Sequence, residues 1–269
     1  MNEAVLITDP GDPRLEPFRR LRDRNLKSDA GLFVGEGPLT VERMLGLPGV
    51  TRSVLVVDRW ADRYAEAARA GVEILTAAES LLSDIIGFAF HRGVLATGDR
   101  SYFDGRELGD LIPGAGAKAT LLCVDGVTNV DNIGLLFRNA AAFACDGVVL
   151  SDSCHDPLYR KALRVSLGHV LSVPWSRASD WNAALLQLKD AGVELVAAAL
   201  REEACALDDY EVPDRVALVV GQESVGVSQA TLDHCDRVLR IPMAEGVDSL
   251  NVAAASAVCL HRLSRGLRR

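Results

Sequence analysis

The apolar positions of this chain fall in short blocks that switch repeatedly between helical and strand-like patterning. Leu15, Phe18, Leu21 and Leu26 form a stripe behind Asp12-Pro13, a start signal with Pro at the first helical position. A strand is predicted over 32–34, then a helix opened by Gly37-Pro38 and closing near Leu47-Pro48. The continuous apolar run over 53–57 suits a strand covered on both faces. A helix over about 60–70 stops at Gly71, and strands follow over 72–75 and 93–96. Glycines at 98, 105, 109, 114 and 116, with Pro113, then interrupt the pattern. Residues 98–118 therefore read as a linker, with room for a short helix within 103–112.

From Ala119 the alternation resumes. Strands are predicted over 121–124, 148–150, 195–197, 217–220 and 238–241, and helices over 133–144, 181–191 and 250–263. This predicts an α/β protein with an N-terminal domain over 1–97, a linker over 98–118 and a C-terminal domain over 119–269. The C-terminal domain is expected to be a mostly parallel sheet with helices on both faces. Ligands of such sheets bind beyond the carboxyl ends of the strands. The loops after Val124, Val220 and Ile241 should then carry the chemistry.

Composition narrows the classes. With 269 residues, 49% of them apolar and 25% charged, the chain is an ordinary globular one with enough length for a full core. No apolar run reaches the ~20 residues of a membrane span, and the N-terminus has no secretory pattern, so the expected compartment is the cytoplasm. The six cysteines include no C-x-x-C pair, and Cys154-His155 has no second pair at ligand spacing, so no metal is expected. The net charge of −8 argues against coating nucleic acid by bulk electrostatics. Two local basic clusters remain. Arg14, Arg19, Arg20, Arg22, Arg24 and Lys27 form one; Arg160, Lys161 and Arg164 form the other. Each is either a solvated helix face or an RNA contact.

The first loop leads into Asn132-Ile133-Gly134 and Arg138-Asn139-Ala140. Arg138 sits among Leu135, Leu136, Phe137, Ala141 and Phe143, so it is either half-buried and paired or aimed at a polar substrate. The second loop, Gly221-Gln222-Glu223-Ser224-Val225-Gly226, holds two glycines that permit close approach of backbone to a ligand. Only half of a G-x-S-x-G nucleophile elbow is present, so a serine hydrolase has little support. The third loop runs from Ile241-Pro242-Met243 to Ser249-Leu250-Asn251-Val252, where Ser249 can cap the next helix and Asn251 falls in its first turn.

Taken together and in order, these loops resemble the TrmH/SpoU family of RNA ribose 2′-O-methyltransferases. The matching signatures are Asn-x-Gly-x-x-x-Arg-x-Ala from Asn132, Gly-x-Glu-x-x-Gly from Gly221, and Ile-Pro-Met followed by Ser-Leu-Asn-Val. A fourth, Lys-x-x-Arg-x-Ser-x-Gly, is matched by Lys161, Arg164, Ser166 and Gly168. Val130-Asp131 stands where family members often have Asp-Pro. Phe33 to Gly37 and His91 to Ala96 look like the small substrate-binding domain that many members carry.

The resemblance implies a trefoil knot, a homodimer through the knot domain, S-adenosylmethionine as methyl donor, and an RNA substrate, rRNA or tRNA. It implies a cofactor pocket near Leu200, Gly221, Ile241, Met243 and Leu250. For the reaction it implies Arg138, with Asn132, Ser249 and Asn251 orienting it and the ribose, and Glu223 fixing its loop by accepting backbone N–H bonds. A guanidinium stays charged throughout the working range, so Arg138 is a fixed cation for the alkoxide, with an RNA phosphate taking the proton. Arg19, Arg20, Arg24, Arg160, Lys161 and Arg164 are the expected RNA contacts. A non-catalytic RNA-binding protein that kept the fold is the alternative, and a small-molecule enzyme of nucleotide-binding type a third.

Overall fold

The computed structural model describes residues 3–19, 31–87, 90–201, 203–247 and 249–264. The chain forms two compact units, and the division is not linear. The first unit is Met1–Tyr102 with Leu158–Leu171; the second is Phe103–Pro157 with Ser172–Arg269.

The first unit is built on a mixed five-stranded sheet. Its strands are β1 (Ala4–Leu6), β2 (Leu32–Glu36), β3 (Thr51–Val57), β4 (Glu73–Ala77) and β5 (Val94–Asp99), in the order β1-β4-β3-β5-β2. The β1–β4 and β3–β4 pairs are parallel, whereas β5 runs antiparallel to both β2 and β3. Helices α1 (Pro38–Gly46), α2 (Ala61–Ala67) and α3 (Glu79–Ile86) complete it. Gly37-Pro38 opens α1 as expected. The helix expected to run to Gly71 ends at Ala67, and Gly71 (φ 90°) sits in the turn beyond. Helix α3 was not anticipated; its N-cap is Ala78, which offers no capping side chain.

The second unit is a seven-stranded sheet in the order β10-β12-β9-β11-β6-β7-β8. In chain order it contains β6 (Ala119–Val124), α4 (Val130–Ala142), β7 (Gly147–Ser151), β8 (Trp175–Ala178), α5 (Trp181–Asp190), β9 (Glu194–Ala198), β10 (Cys205–Ala206), β11 (Arg215–Val220), β12 (Arg237–Arg240) and α6 (Val252–Leu263). Every pairing in it is parallel. The period of two explains why its strands read as unbroken apolar runs. Leu121, Cys123, Val149, Leu195, Ala197, Ala217 and Val219 share one core with Leu185 and Leu188 of α5. The alternate residues Leu122, Val124, Val148, Leu150, Leu218 and Val220 are equally buried on the other face. There α4 and α6 pack on each other, α4 on β7 and α6 on β11. Burying each such side chain contributes roughly 1.5–3 kcal/mol.

Residues 98–118 are not a free linker. Gly98 and Asp99 end β5, Phe103 stacks on Trp175 at 6.2 Å between ring centroids, and Leu111 joins the core beneath α5. The glycines interrupt the periodicity, yet the apolar residues between them are anchored. Among the described residues no helix is long and apolar enough to cross a membrane.

Candidate active site

Three loops at the carboxyl ends of the parallel strands meet, and two helix starts face them. Asn129 caps α4, accepting from the backbone N–H of Asp131 (2.9 Å) and Asn132 (3.3 Å). The Val130-Asp131 departure thus leaves a well-capped helix start. Asn132 is buried in the first turn. Its Nδ2 donates to Glu223 Oε1 at 2.7 Å. Asn251 Nδ2 donates to the same Glu223 oxygen at 2.5 Å and to Asn132 Oδ1 at 3.1 Å. One carboxylate oxygen therefore holds two amides, and the amides hold each other. The N-terminal ends of α4 and α6 both approach this carboxylate, where helix dipoles favour negative charge. Farther along, Asn139 Nδ2 donates to Ala253 O (2.7 Å) and Ser256 Oγ (2.8 Å), so the two helices are locked in register.

These contacts revise three expectations. Ser249 is exposed and does not cap α6; Asn251 does, accepting from Ala253 N at 2.8 Å and Ala254 N at 3.4 Å. Its Oδ1 serves the helix while its Nδ2 serves the site, which leaves no capping role for Ser249. Glu223 accepts side-chain amides rather than backbone N–H groups. Asn132 and Asn251 orient Glu223, not Arg138.

Arg138 lies six residues beyond Asn132 on α4, about 9 Å along the axis. Its side chain is exposed, and it forms no ion pair or hydrogen bond among the described residues. Of the two readings open from the sequence, a buried pair is ruled out.

A cavity of about 400 Å³ opens beside the triad, lined by Ala198 to Arg201, Val220 to Glu223, Leu239 to Ile241, Met243, Ser249 and Leu250, among others. It contains all five residues expected at a cofactor pocket: Leu200, Gly221, Ile241, Met243 and Leu250. That volume lies in the usual range for a small-molecule site. Gly221 is required for the loop itself. A Cβ there would lie 2.1 Å from the carbonyl oxygen of Gly226, where Gln222 and Gly226 exchange backbone hydrogen bonds of 3.1 and 2.8 Å.

A brace that sequence reasoning missed holds the mouth. Asp125 Oδ2 accepts from Ser228 N (3.1 Å), Ser228 Oγ (2.8 Å) and Thr231 Oγ1 (2.8 Å), tying the loop after β6 to the one after β11. An Asp directly after a buried strand was the available signal. A second brace is Arg177, whose guanidinium donates to the carbonyls of Ser151, Asp152, Cys154 and His155. Cys154 in that turn donates to Val124 O at 3.2 Å, and burial pushes its thiol pKa up.

Of the expected RNA contacts, the described ones, Arg19, Arg160, Lys161 and Arg164, belong to the first unit. Arg160 and Arg164 meet the buried Glu36, and Arg19 pairs with Glu16 at 3.3 Å. Arg14 is engaged by Asp12, whose carboxyl these bonds hold down at about 2. Arg20 and Arg24 lie outside the described residues, as do Arg22 and Lys27.

Residues 119–261 match the SpoU rRNA Methylase family. The chain belongs to that family. Over 267 residues it is 38% identical to an uncharacterized tRNA/rRNA methyltransferase of Mycobacterium tuberculosis, covering 96% of this chain and 91% of that one. It is 33% identical to a 23S rRNA (guanosine-2′-O-)-methyltransferase of Salmonella typhi, covering 72% and 80%. The fold is that of an AdoMet-bound rRNA methyltransferase from Sinorhizobium meliloti, with a TM-score of 0.85 over 99% of both chains at 24% identity.

Proposed function

We propose that this SpoU-family protein is an S-adenosylmethionine-dependent RNA methyltransferase that methylates a ribose 2′-hydroxyl of rRNA. The observation that carries the reading is the cavity at the carboxyl ends of β9, β11 and β12, whose wall includes Glu223, the carboxylate held by Asn132 and Asn251. Val220, Leu239, Ile241 and Leu250 offer an apolar slot suited to a purine, and the turns at 198–201 and 241–243 bring backbone to its wall. When bound, S-adenosylmethionine supplies a methyl group already activated by its sulfonium centre. The protein has to exclude water, hold the 2′-oxygen in line and stabilise the charge it gains. Arg138 supplies the compensating positive charge, and an RNA phosphate takes the 2′-hydroxyl proton, since a guanidinium keeps its own proton and cannot act as the base. Glu223, fixed by two amides, sets the geometry of the mouth; Ser249 is a further donor on the cavity wall.

Three finer features belong to the same reading. A trefoil knot is supported by the strand order: β12 lies between β9 and β10, which are consecutive in the chain, so the segment after β12 has to pass the 199–204 connection. A homodimer is supported by α6. Ala253 and Leu260 are consumed by the core, but Ala254 and Val258 form an exposed small, apolar stripe. A monomeric mass in light scattering would overturn the dimer. The first unit, with Arg160, Lys161 and Arg164 and the segment carrying Arg19, Arg20 and Arg24, is the RNA-capturing part. Six free thiols suit a reducing compartment, and we assign the protein to the cytoplasm.

Calorimetric titration with S-adenosylmethionine tests the reading. Saturable one-site binding that Leu250→Arg abolishes is expected. Absence of binding by the folded protein would overturn it.

A further inference from the structure

At one end of the first unit's sheet, three guanidinium groups gather on a single buried carboxylate. Glu36, the last residue of β2, has only 6% of its side chain exposed. Arg160 Nη1 pairs with its Oε2, Arg164 Nη1 lies 3.9 Å from the same oxygen, and Arg92 Nε lies 3.5 Å from Oε1. Arg92 comes from the turn before β5, the antiparallel neighbour of β2, so Glu36 and Arg92 share one end of the sheet. Arg160 and Arg164 project from the short helix Arg160–Val165, which packs on β2. Gly37 (φ 90°), whose left-handed backbone favours glycine, lies under Arg92, with the Arg92 Cδ and Nη1 3.4 Å from where a Cβ would stand.

Stability does not explain the arrangement. Burying a carboxylate under cations roughly breaks even against an apolar replacement, and arginines carry large side-chain entropy. What a buried acid does well is fix the direction of the cations around it. Arg92 keeps half of its side chain exposed and Arg164 a third, so their outer donors face solvent. Tyr159, at the N-cap of the same helix, is 40% exposed.

We infer that Glu36 is the positioning residue of a phosphate clamp, in which Arg92, Arg160 and Arg164 hold the backbone of the RNA while Tyr159 stacks on an unpaired base. Planar guanidinium forks match phosphate oxygens, and an aromatic face takes an unstacked base without regard to its identity. The inference rests on the RNA-methyltransferase reading and adds to it Glu36, Arg92 and Tyr159.

The sign of one substitution separates the possibilities. A carboxylate that merely masks three arginines weakens RNA binding, so its removal would strengthen it. A carboxylate that aims them strengthens binding, so its removal weakens it. We would titrate end-labelled, fragmented ribosomal RNA at several salt concentrations and measure S-adenosylmethionine binding in parallel. For Glu36→Gln the expectation is roughly tenfold weaker RNA binding, the scale of one charge-assisted hydrogen bond, with cofactor affinity unchanged. Arg92→Ala and Arg164→Ala should each lower the salt slope by about 0.7–0.9. Tyr159→Leu should weaken binding with no change in slope. Unchanged or tighter RNA binding by Glu36→Gln overturns the clamp. If Glu36→Gln fails to fold, the Arg92→Ala and Arg164→Ala slopes decide, and wild-type slopes overturn it. A wild-type protein that binds cofactor but shows no salt-dependent RNA affinity overturns the RNA reading and the clamp with it.

Discussion

The two units each organise one glutamate, and they do it with opposite chemistry. Glu223 is exposed and held by neutral groups, the amides of Asn132 and Asn251, each rooted in a helix start. Glu36 is buried and held by cations. Amides leave the formal charge of the carboxylate in place and fix where it points. Guanidiniums surround the carboxylate and leave an outward-facing positive surface, as a polyanion requires. On the proposed reading the first arrangement serves chemistry and the second capture. The acidic total of −8 conceals this, because net charge averages over the whole surface while contacts are local.

The comparison is broken most severely at Arg138. Arg138→Ala should lower single-turnover methyl transfer by about 10²–10³, the scale of one oxyanion-stabilising donor. Arg138→Lys should recover only part, since a point charge lacks the fork. Because Arg138 is exposed and unpaired among the described residues, the melting temperature should stay within a degree or two of wild type. A large fall in melting temperature would return Arg138 to a structural role.

Next comes Asn251, whose two ends can be separated. Asn251→Asp keeps an N-cap of equal quality but sets a second carboxylate against Glu223, 2.5 Å away in the wild type. Methyl transfer should fall at least about tenfold while thermal stability changes little. Asn251→Ala should lose both, with about 1 kcal/mol of stability gone. Equal activity in the Asp variant would mean that the triad is only a fold contact.

Gly221→Ala tests the cavity wall. Its methyl would press on the Gly226 carbonyl, so a cost of about 1–3 kcal/mol and weakened cofactor binding are expected in thermal melts and calorimetry. The smallest effect concerns acid. Asp99, at the end of β5, has its carboxyl lowered from 3.8 to about 2, first by hydrogen bonds from Ser101 and then by Arg52. A depressed carboxyl stabilises the fold fully above the unfolded value of 3.8, and that stability is lost as pH falls toward 2. Asp99→Asn should therefore lower stability slightly at neutral pH, where an exposed contact is screened, and flatten the loss of stability between pH 4 and pH 2.

Much of the second unit was legible because buried parallel strands announce themselves as apolar runs; 121–124 and 217–220 fall inside β6 and β11. The elements that were missed carry weak local signals. Strand β8, Trp-Ser-Arg-Ala, has little apolar content, and α3 begins without a capping side chain. Nor could spacing reveal that Leu158–Leu171 packs with the first unit, since that is a non-local contact. Within the site, the residues that meet were all visible as motif positions, but not their partners. Ser249 and Asn251 are both competent caps, and only the geometry gives the role to Asn251.

The measurement that bears most directly on the central claim is where the methyl group goes. The protein would be incubated with methyl-labelled S-adenosylmethionine and ribosomal RNA, and the product hydrolysed in alkali. A methylated 2′-oxygen cannot attack the adjacent phosphate, so label should appear in alkali-resistant dinucleotides and vanish with Arg138→Ala. Label released in mononucleotides, on the bases, would contradict the account, as would no transfer by a protein that binds both cofactor and RNA.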